Sequence, residues 1–210
     1  MTIVHHPSDA TLAAFAAGQL DEGRRLVVAM HIARCSACRK AVAKFEAVGG
    51  EAIAENPPIP IAPDALSRAL NALDAEPREA SLSRKPLLTE SDILSAYGLG
   101  PWRWVGPGVY FRTVGVPRDH DKRVFMLRAA PGTSLPHHAH TGFEWTCILK
   151  GAFRHELGRY GPGDFDEADD SIEHDPFVEH GDECICIVAM QGQLKFKSLL
   201  GRLLQPLVRI

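Results

Sequence analysis

The chain has 210 residues, of which 45% are hydrophobic and 23% charged, and its formal net charge is −3. This composition excludes a wholly disordered, collagen-like or disulfide-scaffold chain, and the lack of a basic excess argues against a dedicated nucleic-acid-binding protein. No uninterrupted apolar run reaches the roughly 18 residues needed to span a bilayer, and residues 1–9 lack the pattern of a secretory signal. A cytoplasmic protein without membrane contact is therefore expected, with one large domain or two small ones.

The first part of the chain, residues 1–76, has the pattern of a helical domain. Ser8 is placed to cap a helix over residues 9–17, and Asp21 is placed to cap a second helix that runs to about Ala33. A third helix is predicted to begin at Ser36.

A fourth, short helix is predicted after a stretch with four prolines between residues 57 and 63, which no helix can cross. Leu66, Leu70 and Leu73 lie on one face of this helix, at positions i, i+4 and i+7. The pattern favours packing in a core over a surface for a partner protein.

The later part of the chain has the pattern of a β domain. A polar, charged linker is predicted at residues 77–86, and short runs of β-forming residues separated by Gly, Pro and Asp follow over residues 87–210. These runs are 108–116, 123–129, 146–149, 184–190 and 194–196. Helices followed by strands predict a multi-domain α and β chain, with an all-β sandwich or small barrel at its C-terminal end.

The helical part contains a pattern of metal-ligand residues. His31 and Cys35 are four residues apart on one helical face, and Cys38 follows with the two-residue gap that lets two sulfur atoms reach one ion. His6 can supply the fourth ligand of a tetrahedral zinc site, with His5 as the adjacent competitor. A thiol–disulfide couple and inert buried cysteines are the alternatives.

The spacing of His6, His31, Cys35 and Cys38 resembles that of the zinc-binding anti-sigma domain. The resemblance covers residues 1–76 and includes the number of helices and the proline-rich break before the fourth. It implies a four-helix unit that binds an extracytoplasmic-function sigma factor and keeps it from RNA polymerase.

A second group of potential ligands occurs in the β part. His138 and His140 are two residues apart, so both side chains point to the same side of a strand, and Glu144 has the same parity. Together with His174 they would form a site for a divalent ion such as zinc, iron or manganese.

The segment from Gly132 to Gly151 matches the first motif of the cupin family position by position, and the segment from Pro162 to His174 resembles the second motif with an unusual, acidic gap. The resemblance implies a double-stranded β-helix, or jelly-roll, barrel with its metal ligands inside. A cupin barrel with a vestigial, empty site is the alternative.

The combination of both domains in one chain is similar to the ChrR-type anti-sigma factors. That resemblance implies a regulator rather than an enzyme, which forms a 1:1 complex with its sigma factor, makes no direct contact with nucleic acid and responds to singlet oxygen or related oxidants through the cupin-like domain. A metal-dependent cupin oxygenase or isomerase with an accessory helical domain is the alternative hypothesis.

The remaining chemically interesting residues have less distinctive patterns. Cys184 and Cys186 share one face of an apolar strand, which favours a core position over a redox sensor. His155 is interpreted as a solvated histidine, and the acidic run from Asp164 to Asp175 as a solvated loop that shapes the entry to the metal site.

Overall fold

The computed structural model describes residues 2–74, 88–116 and 122–196, which contain five helices and thirteen strands. The helices are α1 (Asp9–Ala16), α2 (Glu22–Arg34), α3 (Ser36–Ala54), α4 (Ala65–Asp74) and α5 (Glu90–Ser95). The strands are β1 (Gly98–Leu99), β2 (Arg103–Gly106), β3 (Val109–Gly115), β4 (Lys122–Ala129), β5 (His138–His140), β6 (Glu144–Lys150), β7 (Phe153–His155), β8 (Gly158–Tyr160), β9 (Phe165–Ala168), β10 (Glu173–His174), β11 (Phe177–Val178), β12 (Cys184–Gln191) and β13 (Leu194–Phe196). The predicted linker, residues 77–86, lies outside the described residues.

The first three helices begin where the capping residues predict. The Ser8 side chain accepts a hydrogen bond from the Thr11 amide, and the Asp21 side chain accepts one from the Arg24 amide. The cap of α3 is Cys35, whose sulfur accepts a hydrogen bond from the Cys38 amide. One of the predicted metal ligands therefore also starts a helix.

The strands form the antiparallel, cupin-like architecture that the sequence predicts. The largest sheet has the order β1-β3-β4-β12-β6-β9, with β2 paired to β3. Two smaller sheets, β10-β5-β13 and β11-β7-β8, complete the described part of the β region. All pairings recorded between these strands are antiparallel.

Helix α2 packs directly on the large sheet, so the helical and β parts share one hydrophobic cluster. Leu26 and Met30 on α2 belong to the same buried cluster as Ile187 on β12. The approach is close at Gly23, because a Cβ atom there would lie 2.8 Å from a methyl group of Val124. The alternate residues of β12, among them Val188, belong to a second cluster inside the β region.

Helix α4 does not have the buried face that its leucine stripe predicted. Leu66, Leu70 and Leu73 are 66%, 53% and 78% exposed. From Glu46 to Leu73 every residue except Ala65 is exposed. The prediction of core packing is therefore wrong, because the amphipathic pattern of α4 is not matched by an apolar surface within the described chain.

None of the helices in the described ranges is both long enough and apolar enough to cross a membrane.

Two candidate metal centres

The four predicted ligands of the helical part lie together. One ligand atom from each of His6, His31, Cys35 and Cys38 lies within 4.8 Å of the others. His31 is in the last turn of α2, Cys35 joins α2 to α3, Cys38 is in the first turn of α3, and His6 precedes α1. Three segments of chain therefore meet at this cluster, which we call the helical cluster.

The distances within the helical cluster are those of ligands around one ion. His31 Nε2 lies 3.2 Å from Cys38 Sγ, and His6 Nδ1 lies 3.4 Å from Cys38 Sγ and 3.5 Å from Cys35 Sγ. Zinc–nitrogen bonds of about 2.0–2.1 Å and zinc–sulfur bonds of about 2.3 Å in a tetrahedron separate ligand atoms by roughly 3.3–3.8 Å. The donor set and its spacing therefore fit zinc.

The protonation states of His31 and Cys38 are compatible with binding of a metal ion at the helical cluster. His31 Nδ1 donates a hydrogen bond to the carbonyl oxygen of Gly163 at 2.6 Å, which leaves Nε2 unprotonated on the side of the cluster. Burial lowers the pKa of His31 to about 4, so the ring is neutral at physiological pH. Burial, with a further contribution from the hydrogen bond to Cys35, raises the pKa of Cys38 to about 12, so an arriving ion must displace a thiol proton.

His5, the competitor of His6, has a different environment. Its ring stacks on Tyr160 with the centroids 4.1 Å apart, and its amide donates to Asp164 Oδ1 at 3.0 Å. The structure therefore brings His6 into the cluster and attaches His5 to the β part.

The four predicted ligands of the β part also lie together, and we call them the barrel cluster. His138 and His140 are on β5, Glu144 begins β6, and His174 on β10 pairs directly with His138. One ligand atom of each lies within 4.8 Å of the others. His138 Nε2 is 3.0 Å from His174 Nε2, and His140 Nε2 is 3.2 Å from Glu144 Oε2.

The pKa shifts of the barrel cluster favour an ionised Glu144 and neutral rings at His138 and His174, whereas His140 shifts in the opposite direction. Burial opposes ionisation of Glu144, but the hydrogen bond from His140 and the neighbouring histidines lower its pKa to about 2. Burial lowers the pKa of His138 and brings that of His174 to about 4, whereas the contact with Glu144 outweighs burial and raises the pKa of His140. His138 Nδ1 donates to the Pro136 carbonyl oxygen at 2.6 Å, which directs an unprotonated Nε2 towards the cluster. This donor set fits a divalent transition ion.

A cavity of about 380 Å³ adjoins the barrel cluster, and His138, Glu144 and His174 form part of its wall. Cys184 and Cys186 also line it, and both are buried, as the core prediction requires. Burial raises the pKa of Cys184 to about 12 and also raises that of Cys186, so neither thiol is activated for reaction. Among the described lining residues there is no member of the helical cluster.

His155 was interpreted from the sequence as solvated, and this is wrong. Its side chain is fully buried, and its Nε2 lies 3.2 Å from Asp166 Oδ2. The ring lies between Tyr160 and His174, with centroid distances of 4.9 and 5.1 Å. The alternation of buried Phe153, exposed Arg154 and inward His155 on β7 is the sequence signal that could have identified this position.

The acidic run is likewise not a uniformly solvated loop. Asp164 is 4% exposed and Asp166 is 6% exposed, whereas Asp169 and Asp170 are exposed. Because β9 includes Asp166, strand alternation turns its carboxylate inward.

The turn at Gly163 and Asp164 connects the two clusters. Gly163 accepts the hydrogen bond from His31, and Asp164 Oδ1 accepts hydrogen bonds from the amides of Val4 and His5 at 2.7 and 3.0 Å. The following strand, β9, carries Asp166 to the edge of the barrel cluster. The N-terminal segment that supplies His6 is thus held by the β part of the chain.

Comparison with known proteins finds the same two parts. Residues 90–195 match the family model described as the ChrR cupin-like domain, and residues 9–39 match a zinc-finger model. The chain is 38% identical to the anti-sigma-E factor ChrR of Cereibacter sphaeroides, with 100% of each chain covered. It is also similar to a chain in the crystal structure of Rhodobacter sphaeroides SigE in complex with the anti-sigma ChrR, at 35% identity and a TM-score of 0.76, covering 90% of this chain and 100% of that one.

Proposed function

The chain belongs to the family of ChrR anti-sigma factors, and from that premise we propose that it sequesters an extracytoplasmic-function sigma factor in a 1:1 complex through residues 1–76. Inhibition is steric: the helical part covers sigma-factor surfaces that would otherwise contact core RNA polymerase and promoter DNA. The chain itself neither touches nucleic acid nor catalyses a reaction, and it acts in the cytoplasm.

The observation that carries this proposal is the exposed apolar surface of residues 46–73, which we call the apolar arm. Seven large apolar side chains of the arm are 53–85% exposed. They are Val48, Ile53, Ile59, Ile61, Leu66, Leu70 and Leu73. A concentration of this kind marks a surface for another protein, and an amphipathic helix such as α4 binds by placing its apolar face in a groove of the partner.

The proposed helical zinc site positions the apolar arm. With His6, His31, Cys35 and Cys38 as ligands, an ion would fix the start of α3 against the end of α2 and against the N-terminal segment. A helical unit of this size gains much of its stability from such a cross-link. When bound, the ion supplies structural stabilisation.

The β part is proposed as the sensor of singlet oxygen or related oxidants. His138, His140, Glu144 and His174 would hold a divalent ion, either zinc or, alternatively, iron or manganese. A change at this cluster reaches the helical part through Asp166, the Gly163–Asp164 turn and the hydrogen bond to His31. Weakening that turn would loosen both the N-terminal segment and a zinc ligand.

The test is a binding measurement with the sigma factor encoded nearest to the gene for this chain. Replacing Leu66, Leu70 and Leu73 together by Ser removes the apolar face of α4, and we expect the dissociation constant to rise at least about a hundredfold. Leu157→Ser is the matched control, because Leu157 is 57% exposed but lies in the β part. Since all four leucines are exposed, the thermal unfolding temperature should stay the same. Unchanged affinity of the triple variant would refute the proposed interface.

The alternative, a cupin-type oxygenase or isomerase, is favoured by one observation: the barrel cluster borders a cavity large enough for a substrate. Metal analysis and turnover assays separate the two functions. Redox-silent zinc without turnover supports the regulator, and iron together with turnover of a small substrate supports the enzyme.

A further inference from the structure

A column of aromatic rings runs between the two clusters. The His5 ring stacks on Tyr160 with the centroids 4.1 Å apart, and Tyr160 stacks on His155 with the centroids 4.9 Å apart. The centroid of His155 in turn lies 5.1 Å from that of His174, a member of the barrel cluster. The other end of the column is next to a metal centre as well, because the residue after His5 is His6 of the helical cluster. We call the rings of His5, Tyr160, His155 and His174 the ring column.

The two middle rings of the column form a rigid unit. Tyr160 is 4% exposed, and the side chain of His155 is fully buried. The Tyr160 hydroxyl donates a hydrogen bond to the carboxylate of Asp166, and His155 Nε2 lies 3.2 Å from Oδ2 of the same carboxylate. Phe153 stacks on both rings, with centroid distances of 5.2 Å to Tyr160 and 5.6 Å to His155. Rings that are packed and hydrogen-bonded in this way move together rather than separately.

The N-terminal end of the column determines where His6 lies. The backbone of His5 is attached to the β part, since its amide donates to Asp164 and its carbonyl oxygen accepts from the Phe165 amide at 3.1 Å. The ring of His5 has room because residue 158 is a glycine, where a Cβ atom would lie 3.2 Å from His5 Cε1. His6 follows directly and is the exposed member of the helical cluster, whereas the other three members are buried. The position of the least buried ligand therefore depends on how firmly His5 is held.

The barrel end of the column is held more weakly by the protein itself. Within the described residues, His174 Nδ1 has no hydrogen-bond partner. His174 Nε2 faces His138 Nε2 at 3.0 Å and Glu144 Oε1 at 3.9 Å. An ion in the proposed barrel site would hold this ring in one orientation. Without an ion the ring can turn about its bond to the Cβ atom, which loosens its contact with His155.

We propose that the ring column makes the lifetime of zinc at the helical cluster depend on whether the barrel cluster holds an ion, with Tyr160 as the positioning residue. When His174 is fixed, the column holds His5 firmly and keeps His6 on the zinc; when His174 is free to turn, His6 leaves more often. The other three ligands stay in place, so zinc exchanges faster but is not lost. This link rests on the two metal sites of the proposed function and not on the sigma-factor interface.

The first experiment measures metal exchange at the helical cluster in the full-length chain without a sigma factor. Co²⁺ is the probe, because Co²⁺ bound to thiolates has a charge-transfer absorption, and of the two clusters only the helical one contains thiols. The absorption decays as excess Zn²⁺ replaces Co²⁺. The double variant His140→Ala/Glu144→Gln, which keeps two of the four barrel ligands, provides a chain without a barrel ion, as metal analysis should verify. Exchange should be about three- to tenfold faster in this variant than in the unmodified chain, the effect of weakening one ring contact.

The second experiment asks whether Tyr160 carries this difference. In Tyr160→Leu, exchange should already be fast, and removal of the barrel ligands should change it by less than about twofold. Tyr160→Phe keeps the ring and should keep most of the difference. Tyr110→Leu is the matched control and should keep all of it, because Tyr110 lies on β3 and packs against Arg128 outside the column.

The third experiment changes His5, which is half-buried, and leaves the interior of the barrel intact. His5→Ala should reproduce the result of Tyr160→Leu and decides the question if Tyr160→Leu does not fold. His5→Phe, which can still stack on Tyr160, should restore the difference.

Three outcomes overturn the proposal. They are equal exchange rates with and without the barrel ligands in the otherwise unmodified chain, a difference that survives His5→Ala or Tyr160→Leu, and a difference that is lost in Tyr160→Phe. Sigma-factor binding is measured separately. A chain that shows the exchange difference but does not bind the sigma factor would refute the proposed function and leave the ring column in place.

Discussion

The two ligand clusters of this chain differ in what surrounds them. The helical cluster combines two thiols with two imidazoles where three segments of chain meet. In the barrel cluster the three histidines lie on the hydrogen-bonded strands β5 and β10, and the cluster faces a cavity. An ion at the first cluster would hold these chain segments together. An ion at the second cluster would be accessible from the adjoining cavity. If both clusters hold ions as proposed, their positions in the fold, as much as their ligand chemistry, would separate a structural metal from a sensing metal.

The largest expected effect follows from removing a thiol of the helical cluster. Cys38→Ala should weaken zinc binding at this site more than about a thousandfold, because structural zinc in small domains contributes on the order of 10 kcal/mol to folding. Native mass spectrometry should show one ion per chain in place of two, together with loss of sigma-factor binding. Cys184→Ala, the matched control at a buried cysteine outside both clusters, should retain both ions. If Cys38→Ala kept both ions and still bound the sigma factor, the helical cluster would not be a structural metal site.

The corresponding change in the barrel cluster should separate metal binding from partner binding. Glu144→Gln removes the carboxylate charge and should weaken the barrel ion by about a hundredfold or more, while affinity for the sigma factor in the absence of oxidant stays the same. Glu156→Gln, at an exposed glutamate, is the control. If Glu144→Gln also lost the sigma factor, the two clusters would not be functionally distinct.

A smaller effect is expected at the connection between the clusters. Asp164→Asn weakens the hydrogen bonds from the amides of Val4 and His5, and it should lower the free energy of unfolding by about 1.5–3 kcal/mol, the range for hydrogen bonds to a charged group. Zinc should also dissociate faster from the helical cluster, while the barrel ion is retained. Denaturant unfolding and competition with a chelator measure the two effects, and Asp182→Asn at an exposed position is the control. Equal changes in both variants would mean that Asp164 does not connect the clusters.

The pH dependence of metal affinity should differ between the clusters. Because the pKa of Cys38 is raised to about 12, binding at the helical cluster releases at least one thiol proton, and the apparent affinity should rise at least about tenfold for each pH unit across the neutral range. Above about pH 5 the barrel cluster has an ionised Glu144 and a neutral His174. Only the proton on His140, whose pKa is raised, then competes with the ion. The affinity of the barrel cluster therefore stops depending on pH once His140 has lost that proton. Titrations with Zn²⁺ at several pH values should give a rising line for the first cluster and a plateau for the second. Parallel lines would contradict this assignment of protonation states.

Local chemistry made much of this molecule predictable from its sequence. Ser8 and Asp21 identify the helix starts because capping depends on neighbouring residues, and the inward direction of His138 and His140 follows from strand alternation. Local spacing also grouped His31 with Cys35 and Cys38, whereas His6 and His174 were predicted as the residues that complete each ligand set. Whether these groups bind ions stays a prediction, as does the boundary of the two domains.

The features that the sequence did not reveal depend on distant contacts. Nothing near His31 indicates that its second nitrogen meets the Gly163 carbonyl oxygen, and the alternation along β7, which could have placed His155 inward, does not indicate that His174 is its neighbour. The exposed leucines of α4 were misinterpreted for a related reason. An amphipathic helix has the same sequence pattern whether its apolar face packs against the same chain or against another protein.

The attachment of the N-terminal segment to Asp164 has a consequence for biosynthesis. A ribosome releases His6, His31, Cys35 and Cys38 early, but the carboxylate that holds the segment carrying His6 is synthesised about 160 residues after it. The nascent helices therefore present His31, Cys35 and Cys38 before the barrel exists, whereas the segment that carries His6 gains its attachment to Asp164 only when the barrel folds. Under the proposed function, chains whose barrel has not yet folded should bind the sigma factor less tightly than finished ones, which would delay full inhibition until the barrel has folded.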